Sequence, residues 1–180
     1  IPCRQGVPYL TLPYTSVLSG LPPLVPFVGP EAMERTRGSL FRARLGANES
    51  SFGISSLARE RGMDALGRVS WYADPENYEL RAALASFHEV APDNIAVAAG
   101  IDDLLGLAVR AFAAERTAVM TAGSYPTFAF HVAGYGARLI RVPYLEDRVD
   151  LDALLEAAIA RRATLLYVAN PDNPAGTWRE

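Results

Sequence analysis

A chain of 180 residues, half of them hydrophobic and with a mean hydropathy of +0.08, carries enough apolar material to bury a core and too much to stay disordered. Its formal net charge of −3 and pI near 5.5 give no basic footprint for nucleic acid or an anionic membrane surface, and no apolar run approaches spanning length. That leaves a small molecule as the expected ligand, with no nucleic-acid or membrane partner. All seventeen basic residues are arginine, so a Schiff base to a carbonyl cofactor cannot be completed by these residues. Cys3 is the only cysteine, which excludes an internal disulfide framework. With no basic segment followed by an apolar one at the start, a cytoplasmic location is expected.

Residues 1 to about 30 hold Pro2, Pro8, Pro13, Pro22, Pro23, Pro26 and Pro30, a density that predicts an extended arm rather than a helix or a central strand. Such an arm either stays mobile or lies across another surface, with Tyr9, Leu10, Leu12, Tyr14, Leu21, Leu24 and Phe27 available to bury. Pro30 at a first helical position starts a short helix to about Arg37, so residues 1–38 read as arm and helix and 39–180 as an α/β region. Phe41 to Leu45 alternates apolar and polar, which predicts a half-buried strand, and it enters a polar loop around Ala47, Asn48, Glu49 and Ser50. A helix is expected from about Ser56 to Leu66. Trp71 and Tyr72 then form an aromatic pair on a turn, either a lid over core or, for Tyr72, a hydroxyl donor to an anionic ligand.

From Asn77 to His88, Leu80, Leu84 and Phe87 recur at helical spacing. Ile95 to Ala99 predicts a short strand, and a helix through Leu104 to Ala114 follows. Then strands at about 117–121, 138–142 and 164–169 alternate with helices at about 126–133 and 151–161. This alternation predicts right-handed βαβ crossovers, hence a three-layer α/β sandwich with a mostly parallel sheet between helices.

In such sheets ligands bind where strands end, so three loops carry the chemistry. The loop Ala99-Gly100-Ile101-Asp102-Asp103 leads into a helix N-terminus, where free N–H groups favour a phosphate; equally, Asp102 caps the helix. In Gly123-Ser124-Tyr125-Pro126-Thr127-Phe128, Pro126 opens a helix and presents Phe128, either as a stacking face for a flat ring or, with Phe130, as ordinary core. In Asn170-Pro171-Asp172-Asn173-Pro174-Ala175-Gly176, Asn170 and Asn173 offer amide donors, or else serve turn chemistry. His88 and His131 lack a paired nucleophile or metal-ligand spacing and read as satisfied surface or core histidines.

Taken together, five segments resemble in order and spacing the N-terminal half of fold-type I pyridoxal-phosphate aminotransferases of class I and II, closest to histidinol-phosphate aminotransferases. They are Leu21-Pro22-Pro23 with Val28-Gly29-Pro30, Leu45 to Ser50, Tyr72-Ala73-Asp74-Pro75, Gly100 to Asp103, and Asn170 to Gly176. The resemblance implies the large domain of that fold after an N-terminal arm, with pyridoxal 5'-phosphate as cofactor. Gly100, Ile101 and Asp102 would hold its phosphate through backbone donors, Phe128 would stack on the pyridine ring, and Asn173 would donate to the phenolic oxygen. Tyr72 would reach the phosphate of the neighbouring subunit in a homodimer with shared sites, while Ala47 and Asn48 would approach the substrate carboxylate.

The activity implied is transamination between a small-molecule amino donor, an amino acid or amino-alcohol phosphate, and a 2-oxo acid. The Schiff-base lysine is absent, so no catalytic residue is expected within these 180 residues, which alone would be inactive. Ile101 replaces the small residue usual there, and Ser50-Ser51 replaces Asn-Pro. A lyase or decarboxylase of the same fold, or a lysine-free binding module, are the alternative readings.

Overall fold

The computed structural model describes residues 13–21 and 27–180. In chain order the elements are α1 (Ser16–Ser19), α2 (Pro30–Arg37), α3 (Ser56–Ala65), α4 (Tyr78–His88), α5 (Ile101–Phe112), β1 (Thr117–Thr121), α6 (Pro126–Gly134), β2 (Arg138–Val142), α7 (Leu151–Ala160) and β3 (Leu165–Tyr167), with 3₁₀ turns at Leu66–Arg68 and Pro92–Asn94. They fall into two compact units: Ile101–Glu180 with the N-terminal stretch up to Phe27, and Val28–Gly100.

The first unit is built on a three-stranded parallel sheet in the order β2-β1-β3. Strand β1 leads through α6 to β2 on one side, and the chain then returns through α7 to β3 on the other. Right-handed crossovers running in opposite directions put their helices on opposite faces. The packing follows that rule. Ala118 and Met120 of β1, with Leu139, Leu165 and Tyr167, face Val109 and Ala113 at the end of α5 and Phe128 and Val132 of α6. Val119, with Ile140 and Val142, faces Leu154 of α7 and Val149 just before it. Alternate residues of one strand thus serve two cores, which is the three-layer α/β sandwich expected from the alternation.

Three local signals set the helix starts of this unit. Thr15 accepts a 3.3 Å bond from the Leu18 N–H and Asp150 a 3.0 Å bond from the Ala153 N–H, each capping a first turn, and Pro126 opens α6 with no N–H to satisfy. Helix α1 corrects the expectation that the arm holds no helix. The interval between Pro13 and Pro22 is long enough for one capped turn, and a Cβ placed at Gly136, just after α6, would lie 3.3 Å from the Val17 Cγ2. Tyr9, Leu10, Leu12 and Leu24 lie outside the described residues.

In the second unit, Arg44 joins loop to helix: its guanidinium donates to both carboxylate oxygens of Glu49, at 2.8 and 3.1 Å, and at 2.8 Å to Glu31 of α2. The Glu31 carboxyl is held below its usual range, chiefly by its own backbone N–H and then by Arg44. Asp74 caps the approach to α4, accepting 3.0 Å bonds from the N–H groups of Glu76 and Tyr78, which lower its pKa. Two expected strands do not form. Phe41–Leu45 and Ile95–Ala99 have no ladder partner among the described residues, although Ile95 keeps an extended backbone at φ −111°. Alternation makes a segment ready to pair but does not supply the neighbour. The lid reading of Trp71 and Tyr72 also fails within this unit, because both rings are exposed.

Candidate functional site

The strand order places a switch point at the carboxyl ends of β1 and β3, where the direction of winding reverses and open α/β sheets leave a ligand crevice. Helix α5 starts at Ile101, directly after Gly100, whose φ of 87° is left-handed backbone that suits glycine. The N–H groups of a helix's first turn lack intrahelical acceptors and lie at the positive end of its dipole, which suits a phosphate. Asp102 would oppose such an anion. Its Oδ1 is engaged instead by the Tyr125 hydroxyl, which donates at 2.9 Å from the loop after β1.

The loops after all three strands meet at Asp172. This residue is only 3 % exposed, and each of its carboxylate oxygens accepts one hydroxyl: Ser124 Oγ donates to Oδ1 and Tyr144 Oη to Oδ2, both at 2.7 Å. Ser124 follows β1, Tyr144 follows β2 and Asp172 follows β3. Burying a carboxylate is costly unless such charge-assisted bonds replace water. Burial pushes the Tyr144 phenol up to about 12, the hydrogen bond and charge of Asp172 add to the rise, and Ser124 opposes it. The Tyr167 phenol is raised too, first by burial and then by Tyr125, Asp172 and Asp102.

The backbone beside this carboxylate is equally tied. The Asp172 N–H donates to the Thr177 carbonyl at 2.7 Å, and the Gly176 N–H donates to the Asp172 carbonyl at 2.8 Å. Asn170 does not point a free amide at a ligand: its Nδ2 donates to the Arg179 carbonyl at 2.8 Å, and its Oδ1 accepts from the Arg179 N–H at 3.0 Å. The donor expected at Asn170 is therefore spent on the chain itself. Arg179 completes the clasp by donating to the Val149 carbonyl from Nε at 3.0 Å and Nη2 at 2.9 Å. Asn173 is half-buried and makes no side-chain hydrogen bond among the described residues, so its amide is available. The bonds Asn170-Pro171 and Asn173-Pro174 are both cis.

Phe128 is 1 % exposed, and its ring stacks on Tyr167 at a centroid distance of 4.5 Å and an interplanar angle of 12°. It is a core residue whose stacking partner here is a second aromatic. His131 differs from the expected satisfied histidine, since its Nε2 is buried without a partner and its ring lies against Gly106 of α5. Tyr72, Ala47 and Asn48 belong to the Val28–Gly100 unit: Tyr72 and Asn48 are exposed, and Ala47 is half-buried with its carbonyl accepting from the Glu49 N–H at 2.8 Å. Among the described residues no group of three or more His, Cys, Asp and Glu side chains is placed to hold a metal ion, and no helix is long and apolar enough to cross a membrane.

The sequence reading did not single out Asp172, Ser124, Tyr144 or Tyr125. The available signal was an acid between two Asn-Pro pairs at the end of an apolar strand, with hydroxyl residues shortly after the two earlier strands.

Residues 43–178 match the family model of aminotransferase class I and II. The histidinol-phosphate aminotransferase of Anaeromyxobacter sp. is 36 % identical over 164 residues, which are 89 % of this chain and 44 % of that protein. Among solved structures, histidinol-phosphate aminotransferase from Sinorhizobium meliloti in complex with pyridoxal-5'-phosphate superposes with a TM-score of 0.88 at 46 % identity, covering 95 % of this chain and 46 % of that one. Aspartate aminotransferase from Rhizobium meliloti shares the fold at a TM-score of 0.70 and 20 % identity, covering 94 % of this chain and 45 % of that one. The chain spans less than half the length of these relatives. With the family match extending from the Arg44 loop through the β3 clasp, the chain belongs to the class I and II aminotransferases.

Proposed function

We propose that this chain is the cofactor-cradling part of a pyridoxal-phosphate-dependent aminotransferase of the histidinol-phosphate type, which moves an amino group from an amino-alcohol phosphate or amino acid to a 2-oxo acid. The observation that carries the reading is the 46 % identity over 95 % of the chain to a relative whose structure contains pyridoxal phosphate. The residues present fit that group. The N–H groups at the α5 N-terminus, at Ile101 and Asp102 after Gly100, suit its phosphate, and the Asp102 carboxylate that would repel the dianion is occupied by Tyr125. The uncommitted amide of Asn173 suits its phenolic oxygen.

Pyridoxal phosphate, when bound, supplies an electron sink that eases loss of the substrate's α-proton. The flat contact expected of Phe128 is taken by Tyr167 inside the core, so Phe128 supports the start of α6 from within, and the Asn173 amide is the side-chain contact left to orient the pyridine ring. Ala47 and Asn48 would border the substrate carboxylate. The exposed Tyr72 would serve the phosphate of a neighbouring subunit, making the active unit a cytoplasmic homodimer with shared sites. The chain holds no lysine, so the covalent anchor of the cofactor comes from outside these 180 residues.

The test uses the full-length protein that carries this chain, supplied with pyridoxal phosphate, histidinol phosphate and 2-oxoglutarate. The expected result is a visible absorption band from bound cofactor and glutamate formation that requires both substrates. Absence of the band together with absence of glutamate refutes the reading. Decarboxylated or eliminated product in place of glutamate would mark a lyase.

A further inference from the structure

Asp172 is a buried carboxylate that no step of the proposed chemistry uses, and it is the point where the three strand ends are joined. A buried charge persists when its hydrogen bonds are complete and when its removal would loosen something that matters. Here the bonds are complete, with one hydroxyl on each oxygen at 2.7 Å and the residue's own backbone N–H and carbonyl both engaged. What they fix is the position of the next residue. Asn173 carries the free amide, and its peptide link to Asp172 lets the carboxylate set where that amide stands.

We propose that Asp172, with Ser124 and Tyr144 as its two hydroxyl partners, is a positioning residue: it holds the Asn173 amide at the crevice and locks the loop after β1, which leads into α6, to the loop after β3. This deepens the proposed function and rests on it. A carboxylate accepts from two hydroxyls at once, one on each oxygen. An amide in its place presents an N–H to one of them and forces that hydroxyl to turn. The pair of contacts therefore selects aspartate over asparagine at this position, although the two side chains have the same shape. The raised Tyr144 phenol supports the arrangement, because it keeps the donor protonated throughout the neutral range.

The experiment compares Asp172→Asn, Tyr144→Phe and Ser124→Ala with the wild type in the full-length protein. It measures pyridoxal phosphate affinity by titration and the pH midpoint of the bound cofactor's visible absorption band. A displaced Asn173 withdraws a donor from the cofactor's phenolic oxygen, which favours the protonated form, so the midpoint rises. Expected for Asp172→Asn is a rise of roughly half to one pH unit with cofactor binding weaker by about tenfold, and for Tyr144→Phe and Ser124→Ala a smaller change in the same direction. Tyr144→Phe keeps the ring and its packing, so it decides the matter if Asp172→Asn does not fold. A loss of stability with an unmoved midpoint overturns the positioning role, since a merely structural residue would behave in that way. A wild-type protein with no band overturns the proposed function and this inference together, whereas a wild-type band with unchanged variants overturns this inference alone.

Discussion

Asn170→Ala removes two hydrogen bonds that close the β3 loop on Arg179, at 2.8 and 3.0 Å, and leaves the guanidinium bonds from Arg179 to Val149 in place. Each bond contributes a net ~0.5–1.5 kcal/mol, and exposure puts this pair in the lower half of that range. The sum is about 1–2 kcal/mol, which raises the local opening equilibrium by roughly 5- to 30-fold. Amide hydrogen exchange read by mass spectrometry checks this in the full-length protein. The N–H groups of Asp172, Gly176 and Arg179 are hydrogen-bonded within the loop, so peptides covering 170–179 should exchange faster by that factor while those covering 117–121 stay unchanged. Unchanged exchange in 170–179 combined with weaker cofactor binding would refute the reasoning, because it would make Asn170 a ligand donor rather than a clasp.

Leu154→Ala should destabilise the protein by about 3–5 kcal/mol in denaturant unfolding, since Leu154 is fully buried between α7 and the valines at 119, 142 and 149, whose sheet cannot collapse into the void. A Tyr whose folded pKa lies near 12 contributes stability that is complete below the unfolded value of about 10 and is lost as pH rises through 12. The denaturation midpoint should therefore fall between pH 10 and 12 in the wild type and fall less in Tyr144→Phe; equal slopes would contradict the burial that raises the Tyr144 phenol. Gly123→Ala places a Cβ 3.3 Å from the Tyr144 ring at a φ of 90°, so a loss of about 1–3 kcal/mol is expected in the same unfolding assay.

Local periodicity made the sandwich legible. The predicted limits of β1 and β2 coincide with the observed ones, α6 starts at the Pro126 signal, and α7 starts at Leu151 as expected. Pairing is a different kind of information. Phe41–Leu45 alternates well yet forms no ladder among the described residues, and β3 is only Leu165–Tyr167 of the six residues expected. The site divides in the same way. Ile101 and Asp102 lie in the first turn of α5 and Asn173 in the loop after β3, so the positions of these residues, though not their roles, were legible. The Asp172 contacts join residues 28 and 48 positions apart, and no local pattern encodes them. Asn170 takes the second of its two readings, loop chemistry, and the sequence left both open because an amide looks alike whether its partner is a ligand or the main chain nine residues on.

Strand β1 has a consequence for anyone redesigning this protein. Residues 118–121 are at most 2 % exposed and serve two cores at once, so a change that suits one helix layer is felt by the other. Sequence diversity spent there would return mostly unfolded variants. In the loops that leave the strand ends, Gly123, Ser124, Tyr144, Asp172 and Asn173 are fixed as well, so diversity belongs at the loop positions between them, where a change stays local to one connection.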